Sequence, residues 1–474
     1  MSRLTTRLAH PAVDSRHLEL LLTLVTIAVV SLVAASSIAG MTGRPSKPLL
    51  ALLVVAGASI LLTISAEQLL LGWLALAPLL QESATATHLG HALSIALYTL
   101  PPLALLLKVL SSRGPRPRRE WFDVLPAAYV FLVLASLAIT ASSELRFGTL
   151  HSLYQNVVLG VIIYYVVAFW RGSTLSALRV AQCLLLAAAL QALMALVEWG
   201  SGWNLWHDTG WQGGDPRAIA TLANPAVTGA FIGVGIVIAL SVLCWEGPVA
   251  LRRLAIAMLL LGIPALYATK TRGPILATAI AAALCVILSP RSRVLAVGAL
   301  ALIALLLVTF WPQIQSSSTY RNRFNNTQNV EARLVLQDVS IRLAEKKPVF
   351  GWGYNSFDRV KYKLPVQSTQ IPLAQALQST SHDTYLTILV EYGTVGLLLF
   401  VLPWLLIAFR GVGAARARLP DRWFLVAALA GIAVVAVNAA TLDYRFFSFA
   451  PMLVWLFLGL VRRQTALNLR PRAS

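Results

Sequence analysis

His382 is the residue in this sequence whose type and setting best suit chemistry. It lies in Ser379-Thr380-Ser381-His382-Asp383-Thr384-Tyr385, just ahead of a long apolar run. Ser381 is a natural helix N-cap, which makes His382 the expected first helical residue. The helix dipole there lowers an imidazole pKa, and the neighbouring Asp383 pulls the other way. The expected result is a largely neutral histidine, available as a general base. The plainer reading is a histidine resting at a membrane headgroup interface. Glu391 follows nine residues later, so about 13 Å deeper along a helix. A carboxylate at that depth is costly and often functional. The plainer and favoured reading is a hydrogen-bonded packing residue beside Gly393 and Gly396.

Three arginines add a different capacity. Arg272 sits in Thr271-Arg272-Gly273-Pro274, at the start of a helix. A cation meets the positive end of the helix dipole there, and an anionic ligand would reverse the sign of that interaction. Arg217 sits in Asp215-Pro216-Arg217-Ala218, shortly before Asn224-Pro225 at the next helix start. Arg333 falls in a polar segment. Each also reads as something plainer: a snorkelling Arg272, an Arg217–Asp215 pair, a solvated Arg333. Together they place three guanidiniums on one side of a membrane, and guanidinium recognises phosphate bidentately where lysine cannot.

Some chemistries have no motif here. There is no Asp-x-Asp, no His-Glu-x-x-His and no Gly-rich phosphate loop ending in Lys-Ser or Lys-Thr. Carboxylates are too sparse around these arginines to hold Mg²⁺ or Mn²⁺ well, so no metal and no other cofactor is expected. Cys183, Cys244 and Cys285 lie inside apolar runs and give neither a disulfide framework nor ligand spacing.

The elements that must position these residues are transmembrane helices. Hydrophobic residues make up 58% of the 474, charged residues only 12%, and the mean hydropathy is +0.73. A soluble domain could not bury that much apolar surface, and disorder is excluded by the same balance. Long unbroken apolar runs argue against an outer-membrane barrel. The expected fold is all-α, a polytopic membrane bundle. Spans are read near 18–39, 48–64, 66–80, 89–111, 123–141, 151–170, 176–197, 225–245, 250–268, 273–289, 292–310, 383–409, 423–440 and 445–461. The second and third are short and nearly fused, so the total is 14 or, less favoured, 12. The first is too long for a cleavable signal peptide.

Orientation follows from the basic residues. With the N-terminus inside, the cytoplasmic segments hold twenty-two Arg and Lys against seven in the short outer loops. This asymmetry places both termini in the cytoplasm. It also accounts for most of the net charge of +19, without nucleic acid as a partner. Residues 1–310 then form a first set of transmembrane helices, 311–381 a long outer loop, and 382–474 the closing set. Within the loop, Ala332, Val335, Leu336, Val339 and Leu343 recur at helical spacing from Glu331 to Lys347, with Asn329 as a cap and Pro348 as a stop. Gly351 and Gly353 mark a turn, and a second helix is expected after Pro372. Both helices are expected to lie on the membrane surface.

At this point the residues resemble a known family. His382-Asp383-Thr384-Tyr385-Leu386, then Glu391-Tyr392-Gly393 and Gly396-Leu397, are similar to the C-terminal signature of O-antigen ligases and related Wzy-type polymerases. Pro348-Val349-Phe350-Gly351-Trp352-Gly353 resembles the loop segment that precedes it. Arg217 with Asn224-Pro225, and Thr271-Arg272-Gly273, resemble the earlier arginine motifs. Asp383 stands where the family commonly has Asn. The resemblance implies transfer at the periplasmic face of a Gram-negative inner membrane, metal-independent and inverting. It further implies a polysaccharide donor on undecaprenyl pyrophosphate and an acceptor hydroxyl on lipid A–core. His382 would be the base and Arg217, Arg272 and Arg333 the pyrophosphate ligands, with Asn224, Asp383 and Glu391 as further site residues. The membrane body would hold the polyprenyl chain.

Three other readings stay open. A polysaccharide polymerase would use two carrier-linked substrates. A protein O-oligosaccharyltransferase often carries an extra C-terminal region, and here only a dozen or so residues follow the last expected span. A lipid or glycan transporter usually needs ionisable residues or broken helices at the midplane, and the spans are nearly free of central charge apart from Glu391.

Overall fold

A computed structural model describes residues 63–81, 88–112, 117–140, 147–171, 175–205, 217–245, 247–287, 311–316, 328–364, 377, 380–417 and 421–468. Among them the regular structure is entirely helical. In chain order the main helices are α1 (Ala66–Leu80), α2 (His88–Ser111), α3 (Trp121–Ile139) and α4, which runs from Phe147–Leu153 through a π-turn at Tyr154–Val158 into Leu159–Ala168. Then come α5 (Ala177–Ser201), α6 (Pro225–Cys244), α7 (Val249–Ala268), α8 (Arg272–Ile287), α9 (Gln328–Lys346), α10 (Thr384–Arg416), α11 (Arg422–Ala439) and α12 (Phe449–Asn468). Seven helices among the described residues are long and apolar enough to cross a bilayer. The expected spans at 18–39, 48–64 and 292–310, and the expected helix after Pro372, lie outside the described residues.

The core follows from composition. Helix α6 is apolar on every side and is buried along nearly its whole length, as a helix without a polar face must be. It packs against α5, α7, α8 and α11, while α12 packs against α4, α10 and α11. Small residues allow the close approach: a Cβ at Gly233 would fall 2.1 Å from the Thr278 hydroxyl. The outer surface keeps Phe131, Leu260, Leu405 and Phe409 exposed, as lipid contact requires.

Polar contacts gather on two faces. On one, Glu67 of α1 meets Arg179 and the Ser176 N–H, Arg463 of α12 meets the Leu175 carbonyl, and Arg410 of α10 meets Glu120. On the other lie the segments before α6, α8 and α10, the α11–α12 turn, and α9.

Helix α9 differs from expectation in two respects. It begins at Gln328, so Asn329 lies inside it instead of capping it. Its apolar face is also covered by protein. Leu336, Val339 and Leu343 pack with Phe357, Val360, Leu364 and Val390 in a small second core. Among the described side chains of α9, Leu334 and Ile341 keep large exposed apolar surface.

Candidate active site

Helix α10 is broken at Gly393, which has φ 67° and ψ −167°. The break frees backbone groups, and the segment Pro348–Gly353 takes them up. Trp352 N–H and Gly353 N–H donate to the carbonyls of Val390 and Glu391 (3.0 and 2.8 Å). Thr394 N–H and Val395 N–H donate to the carbonyls of Pro348 and Val349 (2.7 and 3.3 Å). The two chains are in such close contact that a Cβ at Gly351 would sit 2.5 Å from the Glu391 carbonyl oxygen. Trp352 donates its indole N–H to the Leu343 carbonyl at 2.9 Å, which fixes the end of α9. Beyond it, Tyr354 N–H donates to Ser136 Oγ and its hydroxyl to the Thr149 carbonyl. Arg333 on α9 is thereby tied to α3, α4 and α10.

An arginine that sequence reasoning counted only as loop charge holds the next layer. Arg445, in the turn between α11 and α12, pairs with Asp443 and Glu391 at 2.7 Å each and with Asp358 at 3.4 Å. Burial disfavours its charge, but Asp443 and Glu391, with Asp358 adding less, outweigh that and keep it protonated. Glu391, with no exposed side-chain surface, also accepts from Phe357 N–H at 3.2 Å. It is a hydrogen-bonded packing residue that carries a partner charge.

Asp443 leads to the histidine. Its Oδ2 accepts from Ser381 Oγ (3.2 Å) and Thr387 Oγ1 (3.1 Å), and these two hydroxyls also bond each other. Ser381 is therefore occupied and does not cap the helix. The N-cap is Asp383, whose side chain accepts from Leu386 N–H at 3.0 Å. The cap therefore lies two residues later than expected: His382 precedes the helix instead of opening it, and has φ 51°, a left-handed conformation costly for a non-glycine residue. Its imidazole is half-buried and makes no hydrogen bond to a described residue.

The His382 pKa is lowered, first by burial, then by Arg333, against a smaller opposing pull from Asp443. Arg333 is itself lowered by burial and by Arg272. These shifts put Arg333 within electrostatic range of both Arg272 and His382. The downward direction is the one expected from sequence, but burial and a guanidinium cause it, and the carboxylate that opposes it is Asp443, not Asp383. Burial raises the Asp383 carboxyl, opposed by the N–H groups of Leu386 and Tyr385, with Asp443 raising it further.

Arg272 opens α8 at an exposed position. Its neighbour Gly273 packs so tightly on Thr441 that a Cβ would meet Thr441 Oγ1 at 2.1 Å, which sets Arg272 beside the turn that carries Asp443. Arg217 donates to Thr271 Oγ1 (2.6 Å) and to the Thr269 carbonyl (3.3 Å), so it belongs to the same corner. The 217–224 segment is held from below by Glu198, which accepts from the N–H groups of Ile219 and Ala220 at 2.9 and 2.8 Å. Asn224 is the N-cap of α6, its oxygen accepting from Ala226 N–H at 2.8 Å. Its side chain is used in folding. Ala220, Ala223 and Lys270 all have positive φ in this corner, a concentration of backbone strain typical of functional sites. Among the described residues no three His, Cys, Asp or Glu side chains are grouped as metal ligands.

Sequence reasoning named His382, Arg217, Arg272 and Arg333, and did not single out Asp443, Arg445 and Asp358, which the structure links to the Ser381–Asp383 segment. The available signal was Asp443-Tyr444-Arg445, two opposite charges in a short turn between apolar helices.

A neutral base beside a cluster of guanidiniums can take a proton from a hydroxyl while the arginines stabilise an anionic leaving group. Comparison with known proteins bears on this arrangement. No curated protein matches the chain. Residues 256–401, which run from α7 through Arg272, Arg333, the Pro348–Gly353 segment, His382 and Glu391 into α10, match the family model described as O-antigen ligase. The matched segment is thus similar to O-antigen ligases over 146 of the 474 residues.

Proposed function

We propose that this protein is an O-antigen ligase that moves a polysaccharide from undecaprenyl pyrophosphate to a sugar hydroxyl of lipid A–core at the periplasmic face of the inner membrane. The observation that carries the reading is the corner where Arg333 lies within electrostatic range of both Arg272 and His382. His382, held neutral, accepts the proton of the acceptor hydroxyl as its oxygen attacks the anomeric carbon of the donor. The glycosidic bond to pyrophosphate breaks on the opposite side, so the anomeric configuration inverts. The departing pyrophosphate gathers negative charge, which Arg272 and Arg333 stabilise, with Arg217 placed beside Thr271 to complete the clamp. No metal is required where guanidiniums do this work. The charge asymmetry of the loops supports the periplasmic orientation of this face, with both termini cytoplasmic.

The test supplies purified protein with a carrier-linked glycan and lipid A–core in EDTA. One discrete glycan transfer to the core is the expected product. A ladder of lengthened carrier-linked glycan in the absence of the core would make the protein a polymerase. A strict requirement for added Mg²⁺ or Mn²⁺ would refute the arginine mechanism.

A further inference from the structure

A second site lies on the face opposite His382. A groove of ≈ 610 Å³ opens between α2, α3 and α4. Leu106, Val130, Val158 and Phe169 give it apolar walls, and Arg119 and Arg171 stand on its lining. The two acids on the same lining are already neutralised. Asp123 is bound bidentately by Arg462, at 2.8 Å for each contact, and Glu120 pairs with Arg410 at 3.0 Å. Among the described residues no carboxylate pairs with Arg119 or Arg171. The Nε of Arg171 is buried with no hydrogen-bond partner among the described residues. A buried guanidinium N–H without an acceptor is costly, and an anionic oxygen in the groove would relieve it.

We infer that this groove holds an anionic glycerophospholipid of the surrounding membrane. One acyl chain lies along Leu106, Val130, Val158 and Phe169, and the phosphate sits between Arg119 and Arg171. The size suits a chain and part of a headgroup. Basic pockets between transmembrane helices are the sites that select anionic headgroups. A polyprenyl phosphate offers the same phosphate chemistry. The resident phospholipid is favoured because this face is remote from the arginine corner where the carrier's pyrophosphate is handled. The inference is independent of whether the protein is a ligase or a polymerase.

The test is native mass spectrometry of the purified full-length protein, titrated with phosphatidylglycerol or with phosphatidylcholine of identical acyl chains. Wild type should retain phosphatidylglycerol at about tenfold lower concentration than phosphatidylcholine. The double variant Arg119→Gln/Arg171→Gln should lose that preference while keeping its melting temperature in detergent. Ala127→Phe, which fills the groove from an exposed lining position, should reduce tight retention of both lipids. Equal retention of the two lipids by wild type would overturn the inference. So would an unchanged preference in the double variant, or displacement of phosphatidylglycerol by an equimolar amount of undecaprenyl phosphate.

Discussion

Replacing Gly393 by alanine tests whether the break in α10 is what holds the long loop. At φ 67° and ψ −167° the backbone is in a region that glycine alone enters without strain, and a Cβ there costs about 1–3 kcal/mol. The added Cβ would also lie 2.2 Å from the Val349 carbonyl oxygen and 2.6 Å from the Phe350 nitrogen. Both are backbone atoms, so no flexible side chain can yield. Pro348–Gly353 must move away, and the bonds from Thr394 and Val395 are lost. Each contributes about 0.5–1.5 kcal/mol. The attached state is therefore destabilised by about 2–6 kcal/mol.

Limited trypsin cleavage between Lys346 and Lys347, exposed residues at the end of α9, reads this directly. If reclosing outruns cleavage, the rate follows the open population, and 2 kcal/mol corresponds to about 30-fold. Gly413 in the same helix is the control, because nothing lies within 4 Å of a Cβ there. Gly413→Ala should be neutral or stabilising by about 0.5–1 kcal/mol. Equal cleavage of the two variants at Lys346 would refute the claim that the loop is stitched to the helix break.

Four further outcomes are expected. His382→Gln keeps hydrogen bonding but cannot accept a proton, so turnover should fall by about 10²- to 10⁴-fold with donor binding near normal; retained activity would move the base to another group, Asp383 first. In the wild type, activity should fall on the acid side with a midpoint below the ordinary imidazole value, because only the neutral form accepts a proton; Arg333→Gln should move that midpoint upward, since Arg333 holds the imidazole pKa down, and an unmoved midpoint would deny the coupling. Arg272→Lys should lose about 10- to 150-fold in turnover for want of the planar fork, and full activity would reduce Arg272 to a surface anchor. Arg445→Ala leaves Glu391 and Asp443 buried without their counter-charge, so thermal unfolding in detergent should reveal a loss of about 3–5 kcal/mol; a loss within experimental error would mean the network is not structural.

The helices were legible because bilayer thickness imposes a length and hydropathy a composition. The expected span 225–245 and the helix Pro225–Cys244 agree at the start because Asn224 and Pro225 make a cap and a first turn that local chemistry dictates. The break at Gly393 was not legible. Glycine is common in transmembrane helices, and Tyr392-Gly393-Thr394 sits in an apolar run that reads as continuous helix. Only the approach of Pro348–Gly353, some forty residues earlier in the chain, provides the donors and acceptors that make a break affordable. The Pro348–Gly353 and Glu391–Gly393 motifs are therefore two halves of one backbone contact.

The charges follow the same rule. Glu391 and Arg445 are 54 residues apart, and no periodicity in a single sequence pairs them. Arg445 enters the sequence reading only as one of the basic residues of the short outer loops, a count that is silent about packing. At His382 the difficulty was local instead. Ser381 and Asp383 are both good N-caps, and the tie is decided by Asp443, which engages the Ser381 hydroxyl and leaves Asp383 to cap α10. His382 is consequently displaced from the helix into a left-handed turn, within electrostatic range of Arg333. Its depressed basicity then depends on a residue of the long loop, and that loop depends on Gly393 for its attachment. A base whose proton affinity is lowered by burial and by a residue of a docked loop should lose part of that lowering when the loop detaches. Gly393→Ala should therefore shift the acid limb of the pH profile in the same direction as Arg333→Gln, although neither the glycine nor its neighbours touch the histidine.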